Sequence, residues 1–171
     1  MFDHAQQAIA QAGITTHLAA YQPHIVSTLF VHFDVADSDI DVICTCPDLD
    51  LFLHEVSVHF NRMQGFEAYR RTAHVVARFH HEGFVFEIYG SSVPPARQLA
   101  VRHYRVMQRL SALGGEPLQT AVRGCRQQQG LKTEPAIADV LGLTGDPYAA
   151  VLALEDWDDT RLSTLIRARL R

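Results

Sequence analysis

The feature that most restricts the fold is one change of period along the chain. Before residue 90, short runs alternate apolar with polar residues, as half-buried strands do. After Ala96 apolar residues recur at steps of three and four, as on amphipathic helices. The break between the two regimes is the run Gly90-Ser91-Ser92-Val93-Pro94-Pro95. A chain patterned this way builds a sheet with its first half and helices with its second, which is the α+β class. The expected organisation is a mixed-sheet domain over residues 1–93 with a helical C-terminal region, residues 94–171, packed against it.

Within the first half, strands are expected over residues 25–33, whose first half could instead begin a helix, and over 39–44, 74–80 and 84–89. The last two are joined by the turn His81-Glu82-Gly83. Short helices are expected over residues 5–12, closed by Gly13, and over 16–21. A longer helix over 48–63 carries Leu49, Phe52, Leu53, Val56 and Phe60 on one face and ends at Gly65. In the second half Leu99, His103, Val106, Leu110 and Leu113 form one stripe that Gly114-Gly115 interrupts. Helices follow over 117–129, after Thr133-Glu134-Pro135, after Asp146-Pro147, and over 160–170.

Composition narrows the function classes. The 171 residues, 47% of them hydrophobic, are enough to bury a core without staples. A net charge of −4 argues against a general nucleic-acid coat, which needs clustered positive charge. No apolar run approaches the roughly 18 residues of a membrane span. The start Met1-Phe2-Asp3-His4 lacks a basic region followed by an apolar stretch. Three irregularly spaced cysteines do not make a disulfide framework. Cys44 and Cys46 are expected to be free thiols, because two residues on one straight strand cannot close a low-strain disulfide. These features point to the cytoplasm. No Gly-rich dinucleotide or phosphate-loop fingerprint occurs, and no Gly-x-Ser-x-Gly elbow.

The chemistry-bearing residues lie on two strands. Asp39 and Asp41 are two apart, so on an extended strand both carboxylates share a face, about 7 Å apart at the backbone. Ile40, Val42 and Cys44 point the other way. Two acids on one face repel unless solvent or a cation relieves them, and a hard ion such as Mg²⁺ is held by one or two carboxylates plus substrate phosphates. A solvated strand edge is the competing reading of the same pair. Glu87 shares its phase with Val85 and Tyr89, opposite Phe84, Phe86 and Ile88. It is either a surface glutamate or a third carboxylate for the same site.

The run Asp-Ser-Asp-Ile-Asp-Val-Ile, residues 37–43, resembles the acidic strand of the nucleotidyltransferase (polymerase β-like) superfamily. More closely, the chain resembles domain-of-unknown-function family 4269, an uncharacterised branch of that superfamily. The similarity runs through Ser27-Thr28-Leu29-Phe30, Ser38-Asp39-Ile40-Asp41 and Phe86-Glu87-Ile88-Tyr89-Gly90. It continues at Gln98 and His103, in Gly130-Leu131-Lys132-Thr133-Glu134-Pro135-Ala136, and in Gly145-Asp146-Pro147-Tyr148. The resemblance implies a nucleotidyltransferase-like mixed sheet flanked by helices, with a helical C-terminal half.

It further implies Mg²⁺ (or Mn²⁺) on Asp39, Asp41 and Glu87 as catalytic metal ligands, with an NTP as substrate. Ser27, Thr28, Ser38, His103 and Lys132 become candidate nucleotide contacts. The acceptor is open: a small molecule, RNA or protein. In the superfamily pattern a Gly-Ser or Gly-Thr pair precedes the acidic strand, whereas this chain has Ser27-Thr28, and a Cβ there hinders close approach of backbone N–H groups to phosphate. Alternatives are therefore a catalytically inactive nucleotide- or protein-binding module, or a component of a toxin–antitoxin or stress system. His103 reads either as a hydrogen-bonded core histidine or as a cleft residue. Lys132, the single lysine, reads either as a loop residue or as a phosphate contact beside a helix start. Arg102, Arg105 and Arg109 form an array that is either solvated or phosphate-facing.

Overall fold

The computed structural model describes residues 1–36 and 38–170; Asp37, within the acidic run, and Arg171 lie outside the described residues. Two compact units emerge, each continuous in space but not in sequence.

The first unit comprises Met1–Leu29 with Ser38–Val101. It opens with α1 (Phe2–Gln11) and the single turn α2 (Ile14–His17). Five strands follow: β1 (His24–Ile25), β2 (Ile40–Thr45), β3 (Gln64–Arg70), β4 (His74–His81) and β5 (Phe84–Ser91). They form one sheet of order β1-β2-β5-β4-β3, in which only β2 and β5 run parallel. The sheet is therefore mixed, as the patterning implied. Helix α3 (Leu49–Phe60) starts where Asp48 accepts from the N–H groups of Asp50 and Leu51 (3.0 and 2.9 Å), and it packs against β3, β4 and β5.

The core of this unit is set by phase. Val42, Cys44, Ala77, Phe79, Phe86 and Ile88 are fully buried, whereas their neighbours Asp41, Glu87 and Tyr89 are only half-buried on the other phase. Phe79 lies between Phe60 and Phe86, with near-parallel rings 5.2 and 5.0 Å apart. Gly90 is required by the same packing: a Cβ there would lie 2.2 Å from the Phe52 ring. The β4–β5 hairpin turns on Glu82-Gly83, both at positive φ (49° and 81°), the conformation whose twist matches the flanking strands.

Two expectations are corrected. The stretch 25–33 is not a strand: pairing stops at Ile25, and Thr28–Val31 forms a 3-10 turn. Here the Ser27 hydroxyl receives the Leu29 N–H (3.4 Å), and such local side-chain bonds compete with sheet pairing. Second, Gly65 does not merely end α3. With φ 65° it sits in β3, an edge strand with a register shift between Gln64 and Glu67. Its sequence, Gln-Gly-Phe-Glu-Ala-Tyr-Arg, lacks β-branched residues, so β3 exists through pairing with β4 rather than through local preference.

The second unit comprises residues 30–36 and 102–170. Its helices are the part of α4 (Leu99–Gln129) from Arg102 onward, α5 (Thr133–Leu141), α6 (Pro147–Leu152) and α7 (Asp159–Arg169). Helix α4 is two helices joined at Gly115 (φ 56°, ψ −157°), followed by Pro117, as the Gly114-Gly115 interruption implied. Residues 30–36 join this unit because Phe33 is buried among Val106, Leu110, Leu118, Ile137 and Leu162. Arg123 and Arg126 also donate to the carbonyls of His32 and Phe33. Asp146 and Asp158 cap α6 and α7 through the N–H groups of Ala149 and Arg161. No strand follows Ser91 among the described residues. No described helix is long and apolar enough to cross a membrane.

Cys44, Cys46 and Cys125 are buried free thiols. Burial, and then the neighbouring Cys46, pushes the Cys44 thiol up to about 12. Burial, and then Asp48, pushes Cys46 up to about 11. Alkylation by iodoacetamide at pH 8 is expected to be slow for the native protein and complete once it is unfolded, as thiolate is the reactive form. The folded Cys44 pKa lies above that of the unfolded thiol. Its contribution to stability is thus full below the ordinary value of 9.0 and is lost as pH rises toward about 12. Urea midpoints measured upward from pH 9 should fall less steeply for Cys44→Ala than for wild type.

Candidate active site

The site is built by the parallel pair. In the β2–β5 register Asp41 stands beside Glu87, Ile43 beside Tyr89 and Thr45 beside Ser91. Neighbouring strands are about 4.8 Å apart, so the two carboxylates leave the sheet side by side on the face opposite α3. Along the same row, β4 places Arg78 next to Glu87 and β3 places Glu67 next to Arg78.

Above this row opens a cavity of about 500 Å³. Asp41, Glu87, Ser91, Arg97 and Gln98 give its wall polar character; Ile43, Tyr89, Val93 and Leu99 supply apolar surface. A concave site with an apolar lining and a few convergent polar groups is the usual form of a small-molecule site.

The segment before β2 is fixed by backbone and hydroxyl bonds. The Val26 N–H donates to the Asp41 carbonyl (2.9 Å). The Ser27 hydroxyl donates to the Asp39 carbonyl (2.7 Å), and the Thr28 hydroxyl to the Ser38 hydroxyl (3.2 Å). Ser27 is buried, and its hydroxyl proton is committed to this brace. Asp39 precedes β2 by one residue and, among the described residues, is not part of the cavity lining. The structure therefore brings Asp41 and Glu87 together, with Asp39 two residues upstream. No group of three or more His, Cys, Asp or Glu side chains is placed to hold a metal among the described residues.

His103 and Lys132 belong to the helical unit. His103 is buried, and its Nε2 lies 3.0 Å from the Tyr148 carbonyl. A carbonyl only accepts, so Nε2 carries a proton there and is paired within that unit. Lys132 is exposed at the N-cap position of α5, without a side-chain capping bond. Of the arginine array, Arg102 pairs with Glu155 (2.6 Å). Arg109 binds Asp159 and the carbonyls of Glu155 and Trp157. These two fasten the C-terminal helices.

The sequence reading gave no site role to the cavity's other residues. Tyr89 shares the phase of Glu87 and was legible on that ground. Gln98 was not, because its place depends on how residues 93–98 fold back onto β2.

Solved structures share this fold. Similar chains occur in the GLD-2/RNP-8 complex (TM-score 0.61, 11% identity, 81% of this chain and 57% of that one). They occur also in the Cid1 poly(U) polymerase bound to MgGTP (0.60, 13%, 88% and 48%), and in a cytoplasmic RNA terminal U-transferase (0.57, 15%, 88% and 45%). The chain thus spans about half the length of these proteins, and at such identities the likeness establishes a nucleotidyltransferase-like fold. No curated protein sequence matches the chain. The residues that carry the acidic strand, Glu87, Gln98, His103 and Lys132 all fall within the span 7–154 that matches one sequence family, and the chain belongs to that family, described as "Domain of unknown function (DUF4269)".

Proposed function

We propose that the chain is a nucleotidyltransferase that moves a nucleotidyl group from an NTP to an acceptor, with Mg²⁺ or Mn²⁺ as cofactor. The observation that carries this reading is the in-register pairing of Asp41 with Glu87 over one cavity in a nucleotidyltransferase-like fold. The donor set fits a hard divalent ion of the kind that takes one or two carboxylates and completes its shell with substrate phosphates and water. Asp41 and Glu87 would hold it, with Asp39 as the upstream carboxylate. When bound, the ion would neutralise these acids and stabilise charge on the attacking and leaving oxygens.

The chain's own part is positioning and proton transfer. Asp41 and Glu87 would hold the ion and, only through it, fix where the triphosphate lies. Glu87 acts either as a ligand of the ion or as the base that takes the proton of the acceptor hydroxyl, as that oxygen bonds to the α-phosphorus and the bond to pyrophosphate breaks. Two of the similar proteins are a poly(U) polymerase and an RNA terminal U-transferase, so an RNA end is the first acceptor to test, followed by small molecules and protein.

A second reading, nucleotide binding without transfer, is favoured by one observation: Ser27 is buried and braced against Asp39 where the resemblance has a glycine. Incubation with each labelled NTP, Mg²⁺ and cell lysate separates the two. Transfer predicts label in an acceptor with one or more NTPs, abolished by EDTA. Metal-dependent nucleotide binding with no labelled acceptor would replace it with the binding-module reading.

A further inference from the structure

Gln98 is only 7% exposed, yet it lines the cavity that holds Asp41 and Glu87. Its Nε2 donates to the Cys44 carbonyl (3.2 Å) and to the Val93 carbonyl (2.8 Å). Both partners can only accept, so the nitrogen must face them and the orientation of the amide is forced. A carboxamide nitrogen has two hydrogens, and both are used. Oε1 receives no hydrogen bond from the described residues and is not sealed from solvent. A rigidly anchored acceptor with free lone pairs therefore belongs to a residue of the cavity wall.

An acceptor of this kind rejects phosphate oxygens, which also only accept. It suits a part of the substrate bearing an N–H or O–H donor. The anchor on Cys44 lies three residues along β2 from Asp41, about 10 Å at the strand rise, a separation comparable with the length of a nucleoside. The surface between them includes Ile43 and Tyr89, which can pack against a sugar or a base.

We propose that Gln98 Oε1 is a specificity-determining acceptor, taking a hydrogen bond from the nucleoside part of the substrate. This rests on the nucleotide reading above and names what the site distinguishes. The donor is a sugar 2′-hydroxyl or the exocyclic amino group of the base. Both present the same chemistry to Oε1, and both are removable one at a time.

The test is equilibrium binding of CTP, UTP, dCTP and dUTP to the full chain with Mg²⁺ and no acceptor. Loss of the recognised donor is expected to weaken binding about five- to tenfold, the effect of one neutral hydrogen bond. A drop from CTP to UTP assigns the amino group, and a drop from CTP to dCTP assigns the hydroxyl. In Gln98→Met the difference should vanish. Equal binding of all four by wild type overturns the role of Gln98 and leaves the proposed function standing. Discrimination that persists in Gln98→Met overturns it too. Failure of wild type to bind any of these four, ATP or GTP overturns both. If Gln98→Met does not fold, Gln98→Asn, which withdraws the acceptor by one methylene, must shrink the difference, and an undiminished difference overturns the role of Gln98.

Discussion

Phe79→Ala is expected to destabilise the first unit by about 3–5 kcal/mol, the cost of truncating a fully buried aromatic ring. Phe79 has no exposed surface, and its ring is stacked on Phe60 on one side and Phe86 on the other. The substitution removes the middle of a three-ring column, and neither neighbour can fill the space without leaving its own packing. At a few degrees per kcal/mol for a chain of this size, the melting temperature should fall by roughly 6–20 °C. Phe79 lies on the buried face of the sheet, away from Asp41 and Glu87. Nucleotide affinity of the folded fraction should therefore be unchanged. Calorimetry of the two proteins checks both statements. A cost below about 1 kcal/mol would mean the column contributes little.

Asp41→Asn should have the opposite profile: little effect on folding and, under the proposed function, a loss of at least about 100-fold in transfer rate. That is the order seen when one preorganised electrostatic group is removed from a reacting centre. Asparagine keeps the shape of the side chain but not the charge that a divalent ion requires. Glu87→Gln should lose a similar factor through loss of both charge and proton acceptor. Circular dichroism would show that folding is retained, and initial rates with the labelled NTP would measure the loss. Unaltered turnover in either variant would remove that carboxylate from the mechanism.

Local patterning located the elements that carry the acids. The alternation of Ile40, Val42 and Cys44 with Asp41 and Ile43 defines β2, and the phase of Glu87 against Phe86 and Ile88 turns it off the core. The Gly114-Gly115 interruption was equally readable, since only a glycine sits easily at the positive φ of residue 115. What was not readable depends on partners distant in the chain. Nothing near Asp41 states that β2 runs parallel to β5 in the register that sets it beside Glu87. Edge strand β3 has no β pattern of its own and forms because β4 offers a partner. Residues 30–36 carry apolar side chains that suited a strand, but their carbonyls are taken by Arg123 and Arg126 and their ring Phe33 by a helical core. Gln98 has no motif beyond the family resemblance; its meaning comes from two carbonyls that converge on it only after folding.

The central claim is that Asp41 and Glu87 form one site rather than two independent acids. A double-variant cycle on binding of Mg²⁺ with CTP tests it most directly, comparing wild type, Asp41→Asn, Glu87→Gln and the double variant. If both carboxylates act on one ion and one triphosphate, each single change should remove most of the affinity and the double change should add little, a coupling of roughly 1–3 kcal/mol. Losses that simply sum, or affinity that is the same in all four proteins, would contradict a shared site on the β2–β5 pair.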